Sequence, residues 1–228
     1  MLYTEEAVRA GLRVRDGRRV FYLPEGSRLT PAARDWLRQE GVTVVPHAET
    51  PPAAYRTPDG AAFAEKPEHM THLRGNILVP KTHPRIAFRG GIDTLEAELL
   101  LCAQAADGPL RQTLCAMLDF VRSLIRADVL DEPVQAVRFL GLDDDGLREH
   151  SHHPEREEGQ PHFLPAPDDP PILLQLNRLR TAVRQTELLA CHAFSRPDGT
   201  LARPDLVRAL NRLSSLCWIL MIREKKNA

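Results

Sequence analysis

The chain has 228 residues, 43% of them hydrophobic, which is enough to bury a core and suits one main domain with an appendage better than two full domains. Its 30 basic and 31 acidic residues leave a formal net charge of -1, so no long-range field draws it toward nucleic acid or an anionic membrane, and any anion site must be local. Cys102, Cys115, Cys191 and Cys217 have no paired spacing and read as buried free thiols of a reducing cytoplasm; the charged N-terminus lacks a secretion signal's apolar segment, and no apolar run is long enough to cross a bilayer.

In chain order, the first part reads as a small α/β unit. Val20 to Leu23 is a short apolar strand. Thr30 then supplies an N-cap and Pro31 the first helical position, where its missing N–H costs nothing. That helix runs through Trp36 and Leu37 to Gly41, and Val42 to Val45 forms a second strand. Pro46 to Pro67, rich in Pro, Ala and Thr with a turn at Pro58-Asp59-Gly60, reads as a linker.

The remainder is mostly helical. Ile92, Leu95, Leu99 and Cys102 form one apolar stripe, and Leu110, Leu114, Met117, Leu118, Val121, Leu124 and Ile125 form a cleaner one. Val134 to Leu142 is ambiguous between helix and strand, Asp145 to His150 is a further helix, and Pro154 to Pro171 is a polar, proline-rich loop. Ile172, Leu176, Leu179 and Val183 make a third stripe. Pro204 opens the last helix, with Leu206, Leu210, Leu213, Cys217 and Leu220 toward the core. The expected fold is mainly α: a five-helix antiparallel bundle over 67–228, preceded by a small N-terminal α/β unit and linker over 1–66.

Several residues could carry chemistry. Arg180, Arg184 and Glu187 are four and three apart and share one helix face, a grip suited to polyphosphate. Spacing alone favours a solvated row instead. Asp93, after Gly90-Gly91 at a helix start, either opposes the helix dipole or holds an arginine rigid. Asn211, inside the last helix with Ser214 on its face, is either a hydrogen bond within the bundle or an amide that reads a ligand. Lys81, His83 and Arg85 form a basic cluster around Pro80 and Pro84, solvated or phosphate-binding. His150, His152 and His153 are clustered, and His69 and His72 are three apart, but neither group has a zinc-motif spacing, so no metal site is expected. Phosphate-loop and dinucleotide glycine motifs are missing from the sequence.

Three segments in order, Lys66 to Leu100 (KPEHMTHLRGNILVPKTHPRIAFRGGIDTLEAELL), Leu179 to Ala190 (LRTAVRQTELLA) and Arg203 to Ile222 (RPDLVRALNRLSSLCWILMI), resemble the ATP:cob(I)alamin adenosyltransferases. The resemblance is to the ethanolamine-utilisation branch, related to the PduO-type enzymes, and Thr30-Pro31-Ala32-Ala33-Arg34 is similar to that branch's N-terminal part. It implies transfer of the 5′-deoxyadenosyl group of ATP to the cobalt of cob(I)alamin, itself reached from cob(II)alamin, with Mg²⁺ assisting the triphosphate. By motif it assigns Lys81 to the triphosphate, Asp93 and Arg180 to a salt bridge beside the corrinoid, Arg184 to the triphosphate with Glu187 next to it, and Asn211 to ATP. Phe163, in His-Phe-Leu-Pro, resembles the aromatic residue that shields the lower face of the corrin. Asp93, Arg180 and Arg184 would be the catalytic set. It also implies a homo-oligomer, dimer or trimer, with ATP near subunit boundaries, a flavin-type reductase as partner, and a cytoplasmic or microcompartment-associated location.

The sequence departs from the family pattern in places. The triphosphate loop Thr-Arg-x-Gly-Asp-x-Gly is replaced by Thr71-His72-Leu73-Arg74-Gly75-Asn76. No cysteine precedes Cys102, so the Cys-Cys-x-x-Cys metal motif of some ethanolamine-type members does not carry over. Gln185 stands where many PduO-type members have a second arginine. The alternatives are a non-catalytic bundle that stores or delivers cobalamin or nucleotide, and a purely structural helical oligomer.

Overall fold

Capping side chains open the first helices. In a computed structural model, which describes residues 2–15, 18–24, 26–45 and 54–227, β1 (Leu2–Tyr3) leads to Thr4, whose hydroxyl accepts from Ala7 N at 3.3 Å and starts α1 (Glu5–Ala10). After β2 (Arg13–Arg15), β3 (Arg18–Tyr22) and β4 (Arg28–Leu29), Thr30 accepts from Ala33 N at 3.2 Å and starts α2 (Pro31–Gln39), with Pro31 at its first turn. Gly41 takes φ +63°, which ends α2 and leads into β5 (Thr43–Val45). β3 and β5 pair in parallel around the α2 crossover, with Val20 opposite Thr43, and β2 adds antiparallel to β3. Val8, Phe21, Leu29, Ala33, Leu37 and Val42 form this unit's own small core.

The expected linker is only partly irregular. Pro46–Ala53 lies outside the described residues, but β6 (Tyr55–Arg56) and β7 (Ala62–Phe63) form a hairpin closed by the Pro58-Asp59-Gly60 turn, with Gly60 at φ +94°. Cα packing divides the chain at Met1–Pro67 and Glu68–Ala228. The second unit opens with a hairpin absent from the sequence reading, β8 (Met70–Arg74) and β9 (Ile77–Pro80), turning at Gly75 with φ +51°.

The helices of that unit are α3 (Pro84–Ala105), α4 (Gly108–Leu130), α5 (Asp144–His152), the single turn α6 (Pro154–Glu157), α7 (Pro171–Phe194) and α8 (Pro204–Asn227). Four long helices, α3, α4, α7 and α8, pack together, with α7 against both α3 and α8, and α5 against α8. Every apolar stripe read from the sequence reaches the core, including Leu95, Leu99, Leu114, Leu124, Leu176, Leu179, Leu210 and Leu213, each completely or almost completely buried. Each such side chain contributes roughly 1.5–3 kcal/mol by leaving water.

Three expectations need correction. Gly90 and Gly91 are not at a helix start: α3 begins at Pro84, capped by His83, whose Nδ1 accepts from Arg85 N at 3.1 Å. Gly91 instead permits close packing on α7, where an added Cβ would stand 2.8 Å from Leu189 Cδ1, and its carbonyl accepts from Thr186 Oγ1 at 3.1 Å. Val134 to Leu142 is neither helix nor strand, because its backbone is satisfied elsewhere. Val134 N donates to Asp205 Oδ2 at 3.1 Å, and Phe139 and Leu142 exchange hydrogen bonds across a turn with Leu140 and Gly141 at positive φ. Of the thiols, Cys102 and Cys217 are buried, and burial lifts Cys102 to about 11, whereas Cys115 is exposed and Cys191 half-buried.

Arg85, expected in a loop cluster with Lys81 and His83, is structural. Asp128 is fully buried in the α4 stripe and is clasped from two sides. Arg85 donates Nε and Nη2 to its Oδ1 at 3.0 and 2.6 Å, and Arg89 donates Nε to its Oδ2 at 2.8 Å. Arg89 Nη2 also donates to Leu73 O at 2.8 Å, so one carboxylate ties α4, the start of α3 and β8. Removing one member of a buried ionic cluster leaves the others uncompensated. Asp128→Ala is therefore expected to lower unfolding stability by about 3–5 kcal/mol in urea denaturation. A loss below about 1 kcal/mol would show that the arginines find other partners.

Candidate functional site

The cleft lies beside the apolar seam that α7 and α8 share. On α7, Leu176, Leu179 and Val183 point to the core, so Arg180 and Arg184 stand one position round, at the seam's edge. On α8, Leu210, Leu213 and Cys217 are buried, and Asn211, Ser214, Ser215 and Trp218 take the corresponding border. His152 at the end of α5 and the segment His162–Pro165 complete a cavity of about 500 Å³. The helical period that builds the core thus also assembles a polar wall beside it.

The two arginines are unequal. Arg180 is half-buried, donates Nη2 to Asn177 Oδ1 at 3.1 Å, and lies 5.6 Å over the Trp218 ring. Its Nε is buried with no acceptor among the described residues. Burial, and then the charge of Arg184, pull its pKa down, the signature of a cation short of anions. Arg184 is exposed to the cleft and has no hydrogen bond or ion pair among the described residues. Two cations facing one cavity without a counter-ion make a place for an anion.

Asn211 is held from both ends. Its Nδ2 donates to Glu187 Oε1 at 3.1 Å, and its Oδ1 accepts from Arg212 Nη1 at 2.6 Å. Arg212 is buried and lies 3.3 Å from Asp144 Oδ2 without forming a hydrogen bond through Nε. Both readings of Asn211 therefore meet in one residue: it bridges α7 and α8, and its fixed amide lines the cavity. Two turns along α8 from Asn211, Trp218 carries a stack, with Phe163 at 5.1 Å and 22° and His162 at 5.7 Å and 17°.

Of the residues singled out from the sequence, the structure brings Arg180, Arg184, Asn211 and Phe163 to this cavity, with Glu187 behind Asn211. It does not bring Lys81 or Asp93 there within one chain. Lys81 is exposed and paired with Glu68 at 3.1 Å. Asp93 is exposed in mid-α3, with no hydrogen bond or ion pair among the described residues, so the expected Asp93–Arg180 salt bridge is not made inside a single chain. Its mid-helix place also removes the dipole reading, which holds only within a first turn. His150 is bound to Glu158, and among the described residues no three His, Cys, Asp or Glu side chains are grouped to hold a metal. Trp218 and His162 were missed: a tryptophan beside an apolar stripe reads as core, and only the polar run Asn211, Ser214, Ser215 beside it marks a lined wall.

A model of the family described as cobalamin adenosyltransferase matches residues 62–224. The corrinoid adenosyltransferase EutT of Salmonella typhimurium is 30% identical over 242 residues, covering 96% of this chain and 90% of that protein. EutT of Escherichia coli K12 is 31% identical over 243 residues with the same coverage. Among solved structures, a variant PduO-type ATP:corrinoid adenosyltransferase from Lactobacillus reuteri, complexed with cobalamin and ATP, aligns with a TM-score of 0.54 at 16% identity, over 70% of this chain and 91% of that one. At that identity the likeness speaks for the fold.

The stack on Trp218 makes its own prediction. Phe163→Ala should expose the indole, red-shifting emission and increasing acrylamide quenching when Trp36, the other tryptophan, is replaced by Phe. Unchanged emission would mean that Phe163 does not cover Trp218 in solution.

Proposed function

The chain belongs to the cobalamin adenosyltransferase family, and from that footing we propose that the cleft between α7 and α8 is where it joins the adenosyl group of ATP to cobalt. It is an ATP:corrinoid adenosyltransferase. The observation that carries the siting is Arg184, a cation lining the cavity with no counter-ion among the described residues, in a wall shared with the fixed amide of Asn211 and the aromatic stack on Trp218.

In the reaction, cob(I)alamin supplies an electron pair to the 5′ carbon of ATP. That pair becomes the cobalt–carbon bond as the 5′ carbon–oxygen bond breaks, and triphosphate leaves with the pair of the broken bond. No protein nucleophile or general base is required. The protein must align cobalt and carbon, stabilise the leaving triphosphate and exclude water. Arg184 binds the triphosphate, Arg180 adds charge from the seam, and Asn211, held by Glu187, orients ATP. Phe163, backed by Trp218, covers the lower corrin face and keeps an axial ligand away, which eases reduction of cob(II)alamin to cob(I)alamin. The electron comes from a reductase, of flavin type. Magnesium accompanying ATP would add positive charge at the departing triphosphate.

The stranded groups point to a homo-oligomer. Arg180 has an unanswered buried Nε, and Asp93 is an exposed carboxylate without a partner among the described residues. Asp93 of the partner subunit would satisfy Arg180, and Lys81 of the partner subunit would reach the triphosphate. The proposed setting is cytoplasmic, in ethanolamine utilisation and in association with a microcompartment, as the EutT relatives' branch suggests. No helix among the described residues is long and apolar enough to cross a membrane.

Incubation with ATP and chemically reduced cobalamin should yield the light-sensitive cobalt–carbon bond; bound cobalamin without that bond would make the protein a carrier. Arg184→Ala should cut kcat/KM for ATP about 10- to 100-fold, equivalent to a charged hydrogen bond of ~1.5–3 kcal/mol, and unchanged kinetics would remove Arg184 from the site. Asp93→Ala and Arg180→Ala should each be inactive alone, and mixed oligomers of the two should regain activity. A mixture as inactive as its components would defeat pairing across subunits.

A further inference from the structure

The segment that carries Phe163 has no backbone ladder to hold it. From Glu158 to Pro170 it contains neither helix nor strand, yet it delivers His162 and Phe163 onto Trp218 and leaves Leu164 at the cavity rim, 90% exposed. Chain of this kind is free to move unless side chains fix it.

Two carboxylates do so, one at each end. Glu158 is nearly buried, and its two oxygens take Arg223 Nε and Nη2, both at 2.9 Å, in a forked pair. His150 Nδ1 meets the same carboxylate at 2.8 Å, and Lys226 Nζ donates to Glu158 O at 3.2 Å. Asp169, whose side chain is almost fully buried, pairs with Lys225 Nζ and accepts from Ala166 N at 2.8 Å. Lys225 also sits 5.8 Å over the Phe163 ring. Arg223, Lys225 and Lys226 all lie near the end of α8, where cations complement the helix dipole. Both carboxyls are held below their ordinary range: at Glu158 burial works the other way and is outweighed by Arg223 and His150, and at Asp169 Lys225 is the main cause.

We propose that Glu158 and Asp169 are positioning residues, anchoring the segment between them to the end of α8 and thereby setting Phe163 and His162 against Trp218. They act through that segment, because neither carboxylate, nor Arg223 or Lys225, lines the cavity. The consequence for corrinoid use rests on the reading of the cavity given under Proposed function.

The test uses the full chain with Trp36→Phe, so that Trp218 is the single tryptophan. Glu158→Gln, which keeps shape and loses charge, is compared with the parent by acrylamide quenching without any ligand and by steady-state kinetics. Quenching should rise toward the Phe163→Ala value. The KM for cobalamin should rise about tenfold while the KM for ATP stays within about twofold, a split that general loss of structure would not give. If Glu158→Gln fails to fold, Asp169→Asn releases the other end and is read in the same way. Unchanged quenching in a folded variant overturns the anchor, whatever the activity does. Raised quenching with an unchanged cobalamin KM upholds the anchor and overturns the corrinoid reading of the cavity.

Discussion

The cleft depends on the seating of α7. Its apolar stripe, with Leu176, Leu179 and Val183, packs into the bundle, and Gly91 lets α3 approach so closely that a methyl group there would strike Leu189. Thr186 fixes that approach by donating to Gly91 O and to Ala182 O. With α7 held, the helical period leaves Arg180 and Arg184 no place except the border facing α8. Arg180 is half-buried at that border, where an anion interacts more strongly than in bulk solvent.

The arginines of the bundle sort by whether the chain answers them. Arg85 and Arg89 share the buried Asp128, Arg223 forks onto Glu158, and Arg203 binds Asp205 while donating to Ala127 O and Glu132 O. These hold helix ends and connections. Arg184 has no such partner, and Arg180 is only partly satisfied. Other arginines, such as Arg111 and Arg148, also lack a side-chain partner among the described residues, but Arg180 and Arg184 face one cavity together, which suits that cavity to an anion.

Much of this was legible in the sequence, for physical reasons that are local. The Thr30 cap with Pro31, the apolar stripes of α4 and α8 and the proline start of α8 follow from short-range rules. What failed depended on neighbours far along the chain. Gly90-Gly91 reads as a break, because the close pass of α7 that calls for glycine is invisible from α3 alone. Asp128 draws no notice in the sequence, since its partners Arg85 and Arg89 lie 43 and 39 residues away. Arg180, Arg184 and Asn211 were singled out by their helix positions and given roles by the family motifs, Phe163 came from the motifs alone, and their convergence is a tertiary fact. Lys81 and Asp93 came from the same motifs and do not reach the cavity within one chain, a limit that helix spacing could not reveal. Trp218 hid in the core pattern of α8.

The proposed meeting place of cobalt and triphosphate is the cavity lined by α7 and α8. Crystals grown with ATP and cobalamin, measured at the cobalt absorption edge, place the reacting atom directly. The account predicts an anomalous peak on the Phe163 and Trp218 side of that cavity, with triphosphate density against Arg184. A cobalt peak elsewhere, for example in the cavity between Leu110, Leu140 and Leu220 at another part of the bundle, would contradict it.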